Sequence, residues 1–256
     1  MPSARVTDGL VSEAAARRAR HQQLFEAIAS LGRTIEEIWL ANKGRIRVHG
    51  PAQRVLAVLS GKATKTLDAI RILCESGFGQ DAVILTRSLV NLVINVWYIG
   101  PASNPDEQAL DYNASGWKAW HKFLRDFPGR RDPPPELPNF AEIEERAKRW
   151  DDVSIFEKAS GSDLQETYRE VSATGRALIT PTRGVRVAIS LVPTVSRSRS
   201  ATLPAMTSSS SLGYAFQGML IFMHVFCNAF RLAEHDRLEA LRAEFLRIGT
   251  RSPDPA

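Results

Sequence analysis

The chain has 256 residues, of which 44% are hydrophobic and 24% charged, and its formal net charge is +5. These values exclude a disordered or collagen-like chain and are typical of a globular protein with a sizeable core. Cys74 and Cys227 lie in apolar sequence without the spacing of a disulfide framework, which indicates buried thiols in a reducing compartment. Residues 1–20 lack the apolar stretch of a secretory signal, so we expect a cytoplasmic protein.

Two apolar segments, 81–100 and 212–230, have the length of a membrane span. The first contains Arg87 near its centre and the second contains His224. Inserting a central arginine into a bilayer costs roughly 2.5–3.5 kcal/mol. Helices that are apolar on most sides but carry such polar groups are more often buried in a protein core, so we expect no membrane span.

In chain order, residues 1–10 are predicted to be disordered, and amphipathic spacing then predicts helices over 12–42 and 52–76. The short turn at 42–51 makes an antiparallel pair the simplest arrangement. Gly77 and Gly79 end the second helix, because glycine readily takes the left-handed conformation at a helix C-terminus. A third, strongly apolar helix follows to Ile99.

Asn104 and Pro105 are typical of a helix start, and the helix is predicted to run to Phe127. Its large apolar side chains (Trp117, Trp120, Leu124, Phe127) are interleaved with cations, which leaves two interpretations. These side chains belong to the core, which we favour, or they line a nucleic-acid groove. A proline-rich connection at 128–138 and two shorter helices, 139–152 and 162–172, complete this half.

Residues 173–211 differ from the rest of the chain, since they contain five arginines and no acidic, aromatic, lysine, histidine or amide residue. Three interpretations remain open: a basic linker, short strands, or translation out of frame. From 212 one long helix is predicted to 249, followed by a tail at 250–256. The predicted fold is therefore all-α, a multi-helix bundle with long antiparallel helices formed by 11–172 and 212–249, with an irregular insert at 173–211.

No metal or cofactor site is predicted. His224 and Cys227 share a helix face, but no carboxylate follows at ligand spacing. The sequence also lacks the common phosphate-loop, dinucleotide and hydrolase signatures.

Two polar stripes interrupt the apolar helices, one of Arg87, Asn91 and Asn95, the other including His224, Asn228 and Arg231. A buried arginine requires an anionic partner, and Glu75 or Asp68 on the preceding helix is the expected one. The stripes form either a satisfied buried network that fixes helix register, which we favour, or a pocket for an anion or for RNA cleavage. The candidate binding residues are Arg87, Asn91, Asn95, Glu75, His224 and Asn228.

The segment GFGQDAVILTRSLVNLVINVWYIG resembles the helical hairpin of a bacterial domain-of-unknown-function family, number five-six-seven-seven, and the resemblance extends over 52–172. Arg87 and Ser88 match its Arg-Ser pair, whereas Asn91 stands where that family has an acid. Tyr168 and Ser172 resemble a second motif, without the histidine that follows it there. The resemblance implies an all-helical bundle with no established activity.

The leading prediction is a non-enzymatic binding or interaction module, with a protein partner or a second copy of the chain. The alternative is an RNA-cleaving or phage-defence protein similar to the HEPN ribonucleases, which place an arginine and a histidine on one helix. Arg231 and His235 resemble that pair at a shorter spacing, and with Arg87 they are the candidate catalytic residues. Nucleic acid is a partner in this alternative.

Overall fold

The structure is a computed structural model that describes residues 4–127, 140–160, 162, 164–179 and 208–250, with side chains from residue 21 onward except at 174–179, 208–209 and 249–250. The regular structure of this described part is helical throughout, which confirms the predicted all-α class. The helices are α1 Ala4–Ala41, α2 Pro51–Glu75, α3 Gly79–Ile99, α4 Pro105–Asp126, α5 Phe140–Asp151, α6 Ile155–Lys158, α7 Leu164–Ile179, α8 Ser208–Phe230 and α9 His235–Thr250.

Helices α2, α3 and α8 pack against one another at the centre of the bundle. Helix α1 contacts α8 and α9, α7 lies against α3, and α4 pairs with α5. Segments 79–99 and 210–230 are long and apolar enough to cross a membrane, but 56% and 67% of their most apolar windows are buried inside the protein. That burial is what core helices show.

Close approach of α3 to α8 depends on glycine. Gly100 directly follows α3, and a Cβ built there would overlap the Cγ1 methyl of Val225 on α8. Farther along the same contact, a Cβ at Gly218 would lie 3.5 Å from Cγ2 of Val93. The missing side chain at Gly100 therefore allows the two helices to approach each other, whereas a Cβ at Gly218 would make an ordinary contact.

The N-terminus of α2 is capped by a residue from α4. The Ala52 N–H donates to Oδ1 of Asp106 over 2.9 Å. A Cβ at Gly50 would lie 2.7 Å from both carboxylate oxygens of Asp106, so glycine is required where the carboxylate approaches. One acidic side chain in the first turn of α4 thus satisfies a free amide of another helix and ties α2 to α4.

Helices α2 and α8 end in the same way, with paired backbone hydrogen bonds around a residue of positive φ. After α2, Phe78 N–H donates to Leu73 over 2.8 Å and Gly77, with φ 84°, donates to Cys74 over 3.2 Å. After α8, Leu232 N–H donates to Cys227 over 2.8 Å, and Arg231, with φ 54°, donates to Asn228 over 3.1 Å. Both ends are Schellman motifs, but the second uses arginine in place of glycine.

The single helix predicted over 212–249 is therefore two helices, separated by residues 231–234. The break has tertiary causes. Leu232 is buried, and Glu234 accepts a hydrogen bond over 2.9 Å from the side chain of Asn42 at the end of α1. These contacts hold the chain outside the helical path although no glycine or proline marks the position.

Three predicted boundaries also differ from the structure. The N-terminal residues predicted to be disordered to residue 10 are helical from Ala4. The predicted insert begins and ends inside helices, since α7 extends to Ile179 and α8 begins at Ser208. Residues 180–207, the proline-rich 128–138 and 251–256 lie outside the described residues, so the three interpretations of the insert stay predictions.

The aromatic residues toward the C-terminal end of α4 are exposed, so the prediction that Trp117, Trp120 and Phe127 belong to the core is wrong, whereas Tyr112 nearer its start packs against the core. Trp117, Trp120, Phe123 and Phe127 are 37–52% exposed, and Trp120 and Phe127 each pack against Phe123 along the helix. The buried positions of α4 are Ala109, Asp111 and Ala114 instead. The helix therefore packs through a narrow face of small residues near its N-terminal half.

Candidate functional site

The predicted stripe on α3 lines neither of the two cavities described below. Arg87, Asn91 and Asn95 are all half-buried. The expected ion pair of Arg87 with Glu75 or Asp68 does not occur among the described residues, and Glu75 instead forms an exposed i, i+4 ion pair with Arg71 over 2.7 Å. Asn91 Oδ1 is buried and has no hydrogen-bond partner among the described residues. The stripe is thus not the satisfied network that the sequence favoured.

A pair of histidines joins α8 to α9. Nδ1 of His224 lies 3.0 Å from Nδ1 of His235, and the rings stack at an interplanar angle of 9°. On its other side, Nε2 of His224 lies 3.1 Å from Oε1 of Glu239. Burial lowers the pKa of His224, while Glu239 acts in the opposite direction. Two facing Nδ1 atoms hold one proton between them, so the pair is favoured while at least one ring is neutral.

A cavity of about 430 Å³ opens beside this pair, between α3, the start of α7, α8 and α9. We call it the α8–α9 cavity. Its wall is mainly aromatic and aliphatic, and Phe216 stacks on Phe245 with ring centroids 3.9 Å apart. Its principal apolar side chains are Trp97, Phe216, Ile221 and Phe245, and its longer polar ones are Gln217, His224 and Arg242.

A second cavity of about 440 Å³ lies where the α1–α2 connection meets the end of α8. We call it the cationic cleft. It is lined by Arg45, Arg47, His49, Gln53, Ala229, Phe230 and Arg231. Gln53 holds its two sides together: its Oε1 accepts the His49 N–H over 2.8 Å, and its Nε2 donates to the Ala229 carbonyl over 3.0 Å.

Arg231 enters this cleft from a strained backbone position. A non-glycine residue in the left-handed region costs about 1–2 kcal/mol. A cation at a helix C-terminus returns about 0.3–1 kcal/mol through the helix dipole. The dipole therefore offsets only part of the strain.

The three candidate catalytic residues do not meet in one described cavity. Arg231 lines the cationic cleft, His235 contacts His224, and Arg87 lines neither cavity. Arg231 and His235 also belong to different parts of the α8–α9 junction and not to one helix. Of the candidate binding residues on α8, His224 lines the α8–α9 cavity, whereas Asn228 is exposed and lines neither cavity.

Sequence reasoning missed the residues that complete the two cavities. Arg45 and Arg47 flank Ile46 in the turn that was predicted at 42–51. This alternation places both arginines on the same side of the chain, and it was the available signal for a cationic surface there. Arg242 and Glu239 carry no comparable signal. Their role depends on how α9 folds back on α8, which only the junction at 231–234 sets.

Residues 53–173 match the model of a family of unknown function, DUF5677. The match covers the helical hairpin, Arg87 and Ser88, and it confirms the resemblance predicted from the sequence. Neither the curated proteins nor the solved structures contain a match to the chain.

Proposed function

We propose that this chain is a non-enzymatic, cytoplasmic binding protein whose ligand occupies the α8–α9 cavity. The matched family carries no assigned function, so the proposal stands on one observation, the form of that cavity. At about 430 Å³ it falls in the range of small-molecule sites. Both cysteines are buried free thiols, which supports a reducing compartment.

The lining indicates the chemistry of the ligand. Trp97, Phe216 and Phe245 offer ring faces and edges to a flat apolar body. Arg242 stands at the same wall as a hydrogen-bond donor, whereas both ring nitrogens of His224 already face His235 and Glu239. Arg242 has one ionic neighbour, Glu239, at 3.6 Å, and both side chains are more than half exposed, so its guanidinium is accessible to a second anion. The ligand class that fits is an aromatic molecule with one acidic group.

The first test uses anilinonaphthalene sulfonate, an aromatic anion whose fluorescence rises in apolar sites. Arg242→Gln removes the cation of the cavity and is expected to weaken binding about tenfold, or about 1.4 kcal/mol. Arg247→Gln is the matched control, because it removes an exposed arginine from the same helix outside the cavity. Its affinity is expected to equal that of the unmodified protein.

A second variant, Ile221→Trp, fills the cavity and is expected to abolish the signal, with thermal unfolding measured to show that the bundle remains folded. Unchanged fluorescence in this variant means that the dye binds elsewhere, for example at the exposed rings of α4, and the proposal is then wrong. Equal losses in Arg242→Gln and Arg247→Gln would also count against it, since they would show a general effect of charge.

The alternative of RNA cleavage makes a different prediction. A binding protein leaves a labelled RNA intact, and Arg87→Ala and His235→Ala then change nothing. RNA degradation by the purified chain that both variants abolish, with their helical circular dichroism preserved, would overturn the non-enzymatic proposal.

A further inference from the structure

The cationic cleft concentrates positive charge without a neutralising partner in its wall. Arg45, Arg47 and Arg231 are all exposed, and His49 lies beside them. No acidic side chain is among the residues that line the cleft. Asp106 lines an adjoining cavity that shares His49 and Gln53 with the cleft, and its carboxylate accepts a hydrogen bond from Ala52 N–H. Glu234, three residues after Arg231, accepts a hydrogen bond from the Asn42 side chain.

The cleft is also fixed in shape before any ligand arrives. Gln53 bonds the backbone of His49 and the last turn of α8, and the Schellman motif satisfies the carbonyls of Cys227 and Asn228. These bonds occupy carbonyl oxygens that would otherwise repel an anion. The guanidinium groups are thus presented on a backbone that needs little reorganisation on binding.

Arg231 supplies an independent indication. The equivalent position after α2 is Gly77, which has the same sign of φ and the same pair of hydrogen bonds. After α8 the chain keeps an arginine where glycine would relieve strain, and the side chain that is kept projects into the wall of the cleft. Strain at such a position points to a use for the side chain.

We propose that the cationic cleft binds the phosphate groups of a small phosphorylated compound. The planar, forked guanidinium group matches phosphate oxygens with two hydrogen bonds at a time. Three such groups around about 440 Å³ suit a compound with two linked phosphates. This site is separate from the α8–α9 cavity, and neither proposal depends on the other.

The experiment titrates the full chain with inorganic pyrophosphate by calorimetry at constant ionic strength. The protein is expected to bind one equivalent saturably. Arg47→Gln is expected to lower the affinity about tenfold. The matched control is Arg33→Gln on α1, which removes another exposed arginine and is expected to leave the affinity unchanged.

Arg231→Gly separates binding from folding because it changes the affinity but nearly preserves the stability. Removing the side chain is expected to lower pyrophosphate affinity about tenfold. The midpoint of thermal unfolding is expected to stay within about 2 °C of the unmodified protein, because relief of the left-handed strain is offset by the lost helix-dipole interaction and by the greater freedom of glycine in the unfolded chain. A weaker affinity in this variant therefore cannot be attributed to lost structure.

Absence of saturable binding, an unchanged affinity in Arg231→Gly, or an equal loss in Arg33→Gln would each overturn the proposal. A nucleoside diphosphate that binds more tightly than pyrophosphate would support it and identify a nucleotide as the source of the phosphates. A single-stranded oligonucleotide that binds more tightly than both, with a steep salt dependence, would overturn it in favour of nucleic acid.

Discussion

Replacing Gly100 with alanine is expected to destabilise the protein because the added methyl group has no space between α3 and α8. The new Cβ would overlap Cγ1 of Val225 and lie 3.3 Å from the Val96 carbonyl oxygen. Val225 is 6% exposed, so it has little room to move. The two helices must therefore separate, or the valine must leave its preferred rotamer.

The magnitude follows from two opposing effects. Overpacking of a core contact costs about 1–3 kcal/mol. The backbone at Gly100 is helical, with φ −61° and ψ −50°, so alanine returns about 0.5–1 kcal/mol by restricting the unfolded chain. The direct overlap with Val225 places the cost in the upper half of that range, so the net loss is about 1–2.5 kcal/mol, which lowers the midpoint of thermal unfolding by about 2–10 °C.

Urea unfolding followed by circular dichroism at the helical band measures this difference. The matched control is Gly61→Ala, at an exposed position inside α2 where an added Cβ meets nothing within 4 Å. It is expected to stabilise the protein by about 0.5–1 kcal/mol, so the two substitutions should have opposite signs.

A double variant tests the cause. With Val225→Ala already present, the methyl group of Gly100→Ala has space, and its cost is expected to fall by at least about 1 kcal/mol. The packing argument is refuted if Gly100→Ala alone is as stable as the unmodified protein, or if Val225→Ala does not change its cost.

The remaining predictions concern Lys158 and Asp111. Lys158 donates to the Trp150 carbonyl over 2.8 Å and lies 3.8 Å from the centroid of its ring, and burial lowers its pKa from 10.5 to about 8. Between pH 8 and 10.5 the folded state thus binds fewer protons than the unfolded state. The stability of the unmodified protein relative to Lys158→Met should therefore rise by on the order of 1–3 kcal/mol over this range. Equal pH dependence of the two proteins in urea unfolding would contradict this. Asp111 is 8% exposed and accepts two hydrogen bonds from Arg149, of 2.8 and 3.0 Å, so Asp111→Asn should lower the free energy of unfolding by about 1–3 kcal/mol. The exposed Asp126, which pairs with a neighbouring arginine over 3.5 Å, is the control, and Asp126→Asn should change the stability by less than about 0.5 kcal/mol.

Features that depend on a few neighbouring residues were predictable from the sequence. The Gly77 turn ends α2 as expected, and Asn104 caps α4 through its side chain, which accepts from Glu107 N–H. The apolar periodicity located α2 and α3 to within two residues of their observed bounds. These signals are reliable because helix ends and helix faces are set by interactions within about one turn of chain.

Tertiary contacts decided the features that were predicted wrongly or not at all. Arg231 breaks the final helix without a glycine or proline, because Leu232 is buried and Glu234 is held by Asn42. That break turns α9 back along α8 and sets His235 against His224. The break is therefore the origin of both the α8–α9 cavity and the junction at which the cationic cleft forms.

On α4 the sequence pattern predicted burial, whereas the structure shows exposure. The spacing along α4 is that of a core helix, yet Trp117, Trp120 and Phe123 are exposed because α4 packs through Ala109, Tyr112 and Ala114 in its first half. The sequence by itself determined that this chain forms helices, where α2 to α5 begin and end to within two residues, and which faces are apolar. The tertiary structure alone decided which of those faces are covered and which distant polar groups meet, because burial and pairing depend on residues far apart in the chain.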